Sequence, residues 1–229
     1  VEIISVPSVI SQAKAVEYCL NKTNSGEITN PSQTAIILAD ESLLPSLINS
    51  LPANVDEINI SMGYPVLNTS AYSFITTLLD LHVNLKPGGP GQHAVEYYYD
   101  DLFNILKHIY VRQLIPSASL EKFEQECKKR NAIYIDPSEL FPLHPLLPLI
   151  FRSPEKPILF IRYLREIIEA IGVYSIRDET KPKAITWQTE ILYRIHRVLI
   201  QLEAQVESAD INIQFRTIAG ILRKTLAKT

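Results

Sequence analysis

Apolar positions follow two regimes along the chain. Up to about residue 85 they form short, nearly continuous runs broken by polar turns. From about residue 94 they recur at three- and four-residue spacing. Residues 2–6, 34–39 and 57–61 have the length and β-branched content of strands. The run 34–39 is apolar throughout after Thr34, as in a strand covered on both faces. Between these runs the pattern turns helical. Ser8 is placed to cap a helix over about 9–22, with Ile10, Ala13, Val16, Tyr18 and Leu20 on its apolar side. Glu41-Ser42 opens a short helix to about Ser50, with Pro45 in the first turn, where a missing N–H costs nothing. Thr69 or Ser70 caps a third helix over about 71–83, with Phe74, Ile75, Leu78, Leu79 and Leu81 at helical spacing. Three strands alternating with three helices predict an α/β unit over 1–85, built on a small parallel three-stranded sheet with helices.

Lys86-Pro87-Gly88-Gly89-Pro90-Gly91 is the sharpest break in composition. It lacks a GKS/T ending and its prolines remove N–H donors, so it reads as a linker over 86–93 rather than a phosphate-cradling loop. Beyond it the spacing predicts helices at 96–112, 119–130, 137–141, 156–172, 184–208 and 211–227. Ile191, Ile195, Val198, Leu199 and Leu202 form one stripe on the longest of these. Residues 94–229 are therefore expected to form a larger all-α subdomain.

Composition changes little in this picture. At 46% hydrophobic and 21% charged residues, the chain reads as globular. Its net charge of −3 gives no global attraction to nucleic acid, so any such contact needs a local basic patch. No apolar run approaches the roughly 20 residues of a membrane span. Cys19 and Cys127 are far apart and lack metal-ligand spacing, in keeping with reduced thiols in a cytoplasm. Val1 followed directly by an apolar run suggests a segment excised from a longer polypeptide.

Candidate chemistry is sparse. Glu96, Asp100 and Asp101 have no further carboxylate or Lys nearby at nuclease spacing, and they suit the start of a helix instead. His82, His93, His108, His144 and His196 are scattered and read as structural, and no serine sits in a GxSxG elbow. No catalytic set, metal site or cofactor site is predicted. Basic residues concentrate at Lys128-Lys129-Arg130, at Arg194 with Arg197, and at Arg216, Arg223, Lys224 and Lys228. Arg216 and Arg223 are seven apart and so lie on one helix side. These groups suit phosphate contacts or simply a solvated face. The turn Met62-Gly63-Tyr64-Pro65 lies where a parallel strand would end, the place α/β sheets put ligands; it also reads as plain turn chemistry.

The order Glu2–Val6, helix, Ala35–Asp40, helix, Ile58-Asn59-Ile60-Ser61-Met62-Gly63-Tyr64-Pro65-Val66, helix resembles the start of the second RecA-like domain of UvrD-type superfamily 1 helicases. It is more similar still to the helicase-like half of AddB-type subunits and related bacterial PD-(D/E)XK nuclease-family proteins. There a Met-Gly-Tyr-Pro turn follows the third strand and a helical subdomain is inserted after the next helix. The resemblance covers 1–85 and is architectural beyond that. Ala39 or Asp40 stands where active UvrD-like helicases usually carry Arg, and no GxxxxGK[ST] occurs, so no ATP site is expected. Asp178-Glu179-Thr180-Lys181 has ExK spacing but no strand or upstream Asp. The resemblance implies a non-catalytic fragment of a cytoplasmic DNA repair or recombination protein, binding or guiding DNA for a nuclease outside this chain. Its partners would be DNA, the parent's other domains and a helicase–nuclease partner subunit. A partner-docking helical module without nucleic-acid contact is the alternative. An enzyme acting on a small molecule at the Gly63-Tyr64-Pro65 turn is the weakest reading, for want of an acid, base or nucleophile.

Overall fold

A computed structural model of the chain describes residues 3–23, 34–52, 55, 58–61, 65–87, 95–154, 156, 159–177, 185–208 and 214–228. The chain divides into two compact units, 1–64 and 65–229. The division falls between residues 64 and 65, ahead of the third helix.

In the first unit, α1 (Val9–Thr23) packs against α2 (Leu44–Ile48) and the 3-10 turn Glu41–Leu43 that leads into it. Asp40 caps that turn by accepting from the Ser42 amide at 2.9 Å. Among the described residues, Ala13, Leu20, Leu43, Leu44 and Leu47 are its buried apolar side chains.

The predicted parallel RecA-like sheet does not form. Ile3–Val6, Thr34–Leu38 and Ile58–Ser61 have no regular secondary structure, and no strand pairing joins them. Ile3 is 92% exposed and Ile37 91% exposed. The physical reason lies in what surrounds them. A strand buried on both faces needs strands at its edges and helices above and below. Among its described residues this unit offers one long helix, whose buried positions are Ala13 and Leu20. β-Branched runs favour extended backbone, and that preference does not supply the partners that make a sheet.

The second unit is mainly helical. Its helices are α3 (Ser70–Val83), α4 (Tyr99–Lys107), α5 (Ile109–Arg112), α6 (Ser117–Lys129), α7 (Leu147–Ile150), α8 (Leu159–Arg177), α9 (Ile185–Ser208) and α10 (Phe215–Leu226). Three very short antiparallel strands interrupt them, β1 (Lys86–Pro87), β2 (Val95–Tyr98) and β3 (Tyr134–Ile135), with β2 central. Lys86 pairs with Glu96, and Tyr98 pairs with Tyr134. Residues 96–98 are therefore strand where periodicity predicts helix, and Lys86–Pro87 is strand where a linker is predicted. Period-two alternation decides the first case: Tyr97 is buried and Tyr98 exposed, so the pair fits a half-covered strand. The helix begins only at Tyr99, with Asp100 and Asp101 in its first turn as the dipole favours.

α3 organises this unit. Thr69 caps it by accepting from the Tyr72 amide, and Ala71, Phe74, Ile75, Leu78, Leu79, Leu81 and His82 are buried. Only a narrow strip holding Ser70, Ser73, Asp80 and Asn84 is exposed. α8 and α9 form an antiparallel hairpin. Arg162 near the start of α8 binds Glu203 and Glu207 near the end of α9, at 2.6 and 2.7 Å. Along the seam, the predicted α9 stripe is buried at Ile191, Ile195, Leu199 and Leu202 and half-buried at Val198.

Substitution should separate these two environments. Ile37→Ser should change stability by no more than about 0.5 kcal/mol, as for an exposed site, whereas Leu78→Ala should cost about 2–5 kcal/mol. Chemical unfolding measures both. A loss of about 2 kcal/mol or more at Ile37 would return that residue to a covered core.

Candidate nucleic-acid interface

Among the described residues, the positive concentration that survives folding as one exposed face is on α10. Its sequence, Phe-Arg-Thr-Ile-Ala-Gly-Ile-Leu-Arg-Lys-Thr-Leu, places Ile218, Ala219, Leu222 and Leu226 on one side, and these are buried where the helix packs on α3. The opposite side exposes Arg216, Thr217, Ile221 and Lys224, with Lys228 just past the helix end. Arg216, Gly220 and Lys224 follow one line at four-residue spacing, the outer two ~12 Å apart along the axis. Among the described residues, Arg216, Lys224 and Lys228 have no ion-pair partner. Residues 211–229 contain four Lys/Arg and no Asp or Glu, so no carboxylate within this stretch opposes them. A Cβ added at Gly220 would meet nothing within 4 Å.

The other predicted cations go elsewhere. Arg223 turns from the exposed face toward α3, where its Nη2 donates to Asp80 Oδ1 at 2.5 Å. Its Nε is buried without a hydrogen bond. Arg194 donates to Glu190 one turn back on α9. Arg197 is exposed, with no ion-pair partner among the described residues, but on α9 rather than α10. In the Lys128-Lys129-Arg130 run, Lys128 pairs with Glu124 and Arg130 with Glu139. Met62, Gly63 and Tyr64 lie outside the described residues, as do Asp178–Lys181. Pro65 precedes the 3-10 turn Val66–Asn68 that leads into α3.

Sequence reasoning missed what fixes α10 in place. His82, buried on α3, sits among four aromatic rings: Phe160 at 4.9 Å and Tyr163 at 5.0 Å from α8, Tyr97 at 6.2 Å from β2, and Phe215 at 6.2 Å from α10. Phe215 also meets Phe160 edge-on at 4.8 Å. The first residue of α10 is thereby anchored in the core, which aims the basic side outward. The signal available in the sequence was an aromatic opening an otherwise amphipathic helix. The His82 ring nitrogens lie 2.8 Å from the Leu78 carbonyl oxygen and 3.3 Å from that of Arg152. A neutral imidazole has one N–H for these two acceptors.

Electrostatics divide the chain unevenly. Residues 1–64 carry two Lys and seven Asp/Glu, a net −5, so with −3 for the whole chain the second unit is +2. Much of the second unit's charge is internally paired. Burial opposes ionisation of Glu203, but the Arg162 and Arg165 guanidiniums outweigh it and hold its carboxyl below the usual range. Among the described residues no cluster of His, Cys, Asp and Glu could hold a metal ion. No described helix is long and apolar enough to cross a membrane. No protein-family model, curated protein or solved structure matches the chain.

Burial lowers the pKa of His82, His108 and His144 below the ordinary 6.5. In the unfolded chain each binds its proton near 6.5, so the unfolded state holds more protons as pH falls below that value. Stability should therefore be fullest above pH 6.5 and decline as pH drops from there toward the depressed folded values. Unfolding midpoints between about pH 7.5 and pH 5.5 measure this, and His82→Gln should flatten the decline. An unchanged pH profile in that variant would remove His82 from the account.

Proposed function

We propose that this chain is a non-catalytic, DNA-contacting part of a bacterial helicase–nuclease-like repair protein of the AddB-type, PD-(D/E)XK-nuclease kind, and that nuclease chemistry belongs to domains outside it. The remaining domains of that parent and a helicase–nuclease partner subunit would be its protein partners. The single observation that carries the reading is the acid-free exposed side of α10, where Arg216, Lys224 and Lys228 stand without carboxylate partners among the described residues. Unpaired cations spaced along a helix suit the phosphate backbone and carry no base readout, which matches a guiding role rather than sequence recognition. The likeness of Ile58–Val66 to the Met-Gly-Tyr-Pro segment of those proteins supports the same reading. The proposal includes no motor activity and no RecA-type sheet in this chain.

One observation favours docking on protein instead. Ile3, Ile4, Ile36, Ile37 and Ile58 are exposed in a unit of net charge −5, a surface that repels phosphate and offers apolar area. Under that reading the chain would self-associate or bind its parent's other domains at low salt, with no affinity for DNA.

Titration of a labelled mixed-sequence duplex against salt distinguishes the two. The DNA reading expects log K to fall linearly with log salt, with a slope of about −0.9 per phosphate contacted. Gly220→Glu puts a carboxylate between Arg216 and Lys224 where a side chain meets no neighbour, and Glu is the better helix former. It should abolish most binding without lowering Tm. Arg216→Gln with Lys224→Gln should make the slope shallower by about two contacts, roughly 1.8. Salt-independent binding, or none at any salt, removes the DNA role.

A further inference from the structure

We infer that Asp80 is a built-in competitor for phosphate: it occupies Arg223 in the free protein and sets how tightly the α10 surface holds a nucleic-acid backbone. The inference rests on the DNA reading of α10 and concerns what regulates it. Asp80 is the only acidic residue on α3, and α10 has none, so it is the one carboxylate on the two packed helices. Its oxygen takes the Arg223 Nη2 at 2.5 Å, as a phosphate oxygen would. Both side chains remain open to solvent, Arg223 at 42% and Asp80 at 56%, so a polyanion can reach the pair.

Position argues the same way. Asp80 lies toward the carboxyl end of α3, where the helix dipole disfavours negative charge. The rest of the exposed strip on α3 is uncharged, with Ser70, Ser73 and Asn84. An exposed ion pair contributes little to folding, so a carboxylate placed against the dipole has a weak structural justification here. Arg223 follows Leu222 and precedes Lys224, at the edge of the basic side of α10. Released from Asp80, it extends the Arg216–Lys224 line by one more cation. Phosphate and Asp80 then compete for the same Arg223 Nη2, and while the carboxylate holds it that nitrogen makes no phosphate contact.

The test compares the wild-type 229-residue chain with Asp80→Asn, Arg223→Gln, the double variant, and Glu121→Gln, which removes one exposed acid from α6 as a control for net charge. The readout is salt-dependent titration of labelled duplex DNA, with Tm for each protein. Asp80→Asn should steepen the salt slope by about 0.9, which is about eight-fold tighter binding at about 0.1 M salt. Arg223→Gln should cancel that gain in the double variant, and Glu121→Gln should show no steeper slope. If Arg216→Gln with Lys224→Gln weakens binding but Asp80→Asn leaves it unchanged, the competitor role is overturned and the DNA reading stands. A drop in Tm for Asp80→Asn with no gain in affinity also overturns it, making the pair a structural tie. Binding by neither wild type nor Asp80→Asn overturns both.

Discussion

Three successive backbone carbonyls, those of Ile150, Phe151 and Arg152, need partners where the short helix α7 ends at the edge of the apolar core, the first two on buried residues. Three aromatic side chains from three different elements meet them. Tyr163 of α8 donates to Ile150, Tyr97 of β2 donates to Phe151 at 3.0 Å, and His82 of α3 faces Arg152 at 3.3 Å. A helix terminus leaves its last carbonyls without partners, and burying them unmet costs about 1–3 kcal/mol each. The solution ties α3, β2, α7 and α8 to one point. It also explains why Tyr97, Tyr163 and Phe160 are among the largest fully buried side chains. Each ring fills volume and keeps its polar atom, where it has one, in contact with backbone.

α10 depends on that point in turn. Phe215 enters the same aromatic cluster, and the buried stripe Ile218, Ala219, Leu222 and Leu226 completes the cover over α3. With a helical period of 3.6 residues, a stripe anchored at one end leaves no rotational choice for the rest. Arg216 and Lys224 therefore face solvent because Phe215 and Leu222 cannot. The chemistry proposed for the surface is in this sense a by-product of how the core closes.

Helices were largely legible from the sequence, because a 3.6-residue apolar period is local information. α3 and α9 match their expected spans to within a residue or two, and the α9 stripe follows the expected positions. The sheet was not legible. The Ala35–Leu38 run looks the same whether neighbouring strands exist or not, and Ile37 at 91% exposure shows that here they do not. Conversely, residues 96–98 were hidden in a helical reading because one partner, Tyr134–Ile135, lies some forty residues away and the other, Lys86–Pro87, falls in a stretch that reads as a linker. The site was half legible. Spacing put Arg216 and Arg223 on one side of a helix, but only packing could reveal that Arg223 is engaged by an acid 143 positions earlier.

That long-range pair shows how charge and fold are kept apart in this chain. Most ion pairs of the second unit join neighbouring helices or successive turns, as Arg162 and Arg165 do with Glu203, and their cations are spent on protein carboxylates. A surface that is to attract a polyanion needs cations left over, and a net charge of −3 makes that a question of placement. Concentrating seven acids in residues 1–64 and excluding them from 211–229 is one way to obtain it. Local excess matters more than the total here, because at physiological ionic strength charges beyond about 8 Å are largely screened. Among the described residues, the carboxylate paired with α10 is Asp80, and it is the one placed to set that local excess.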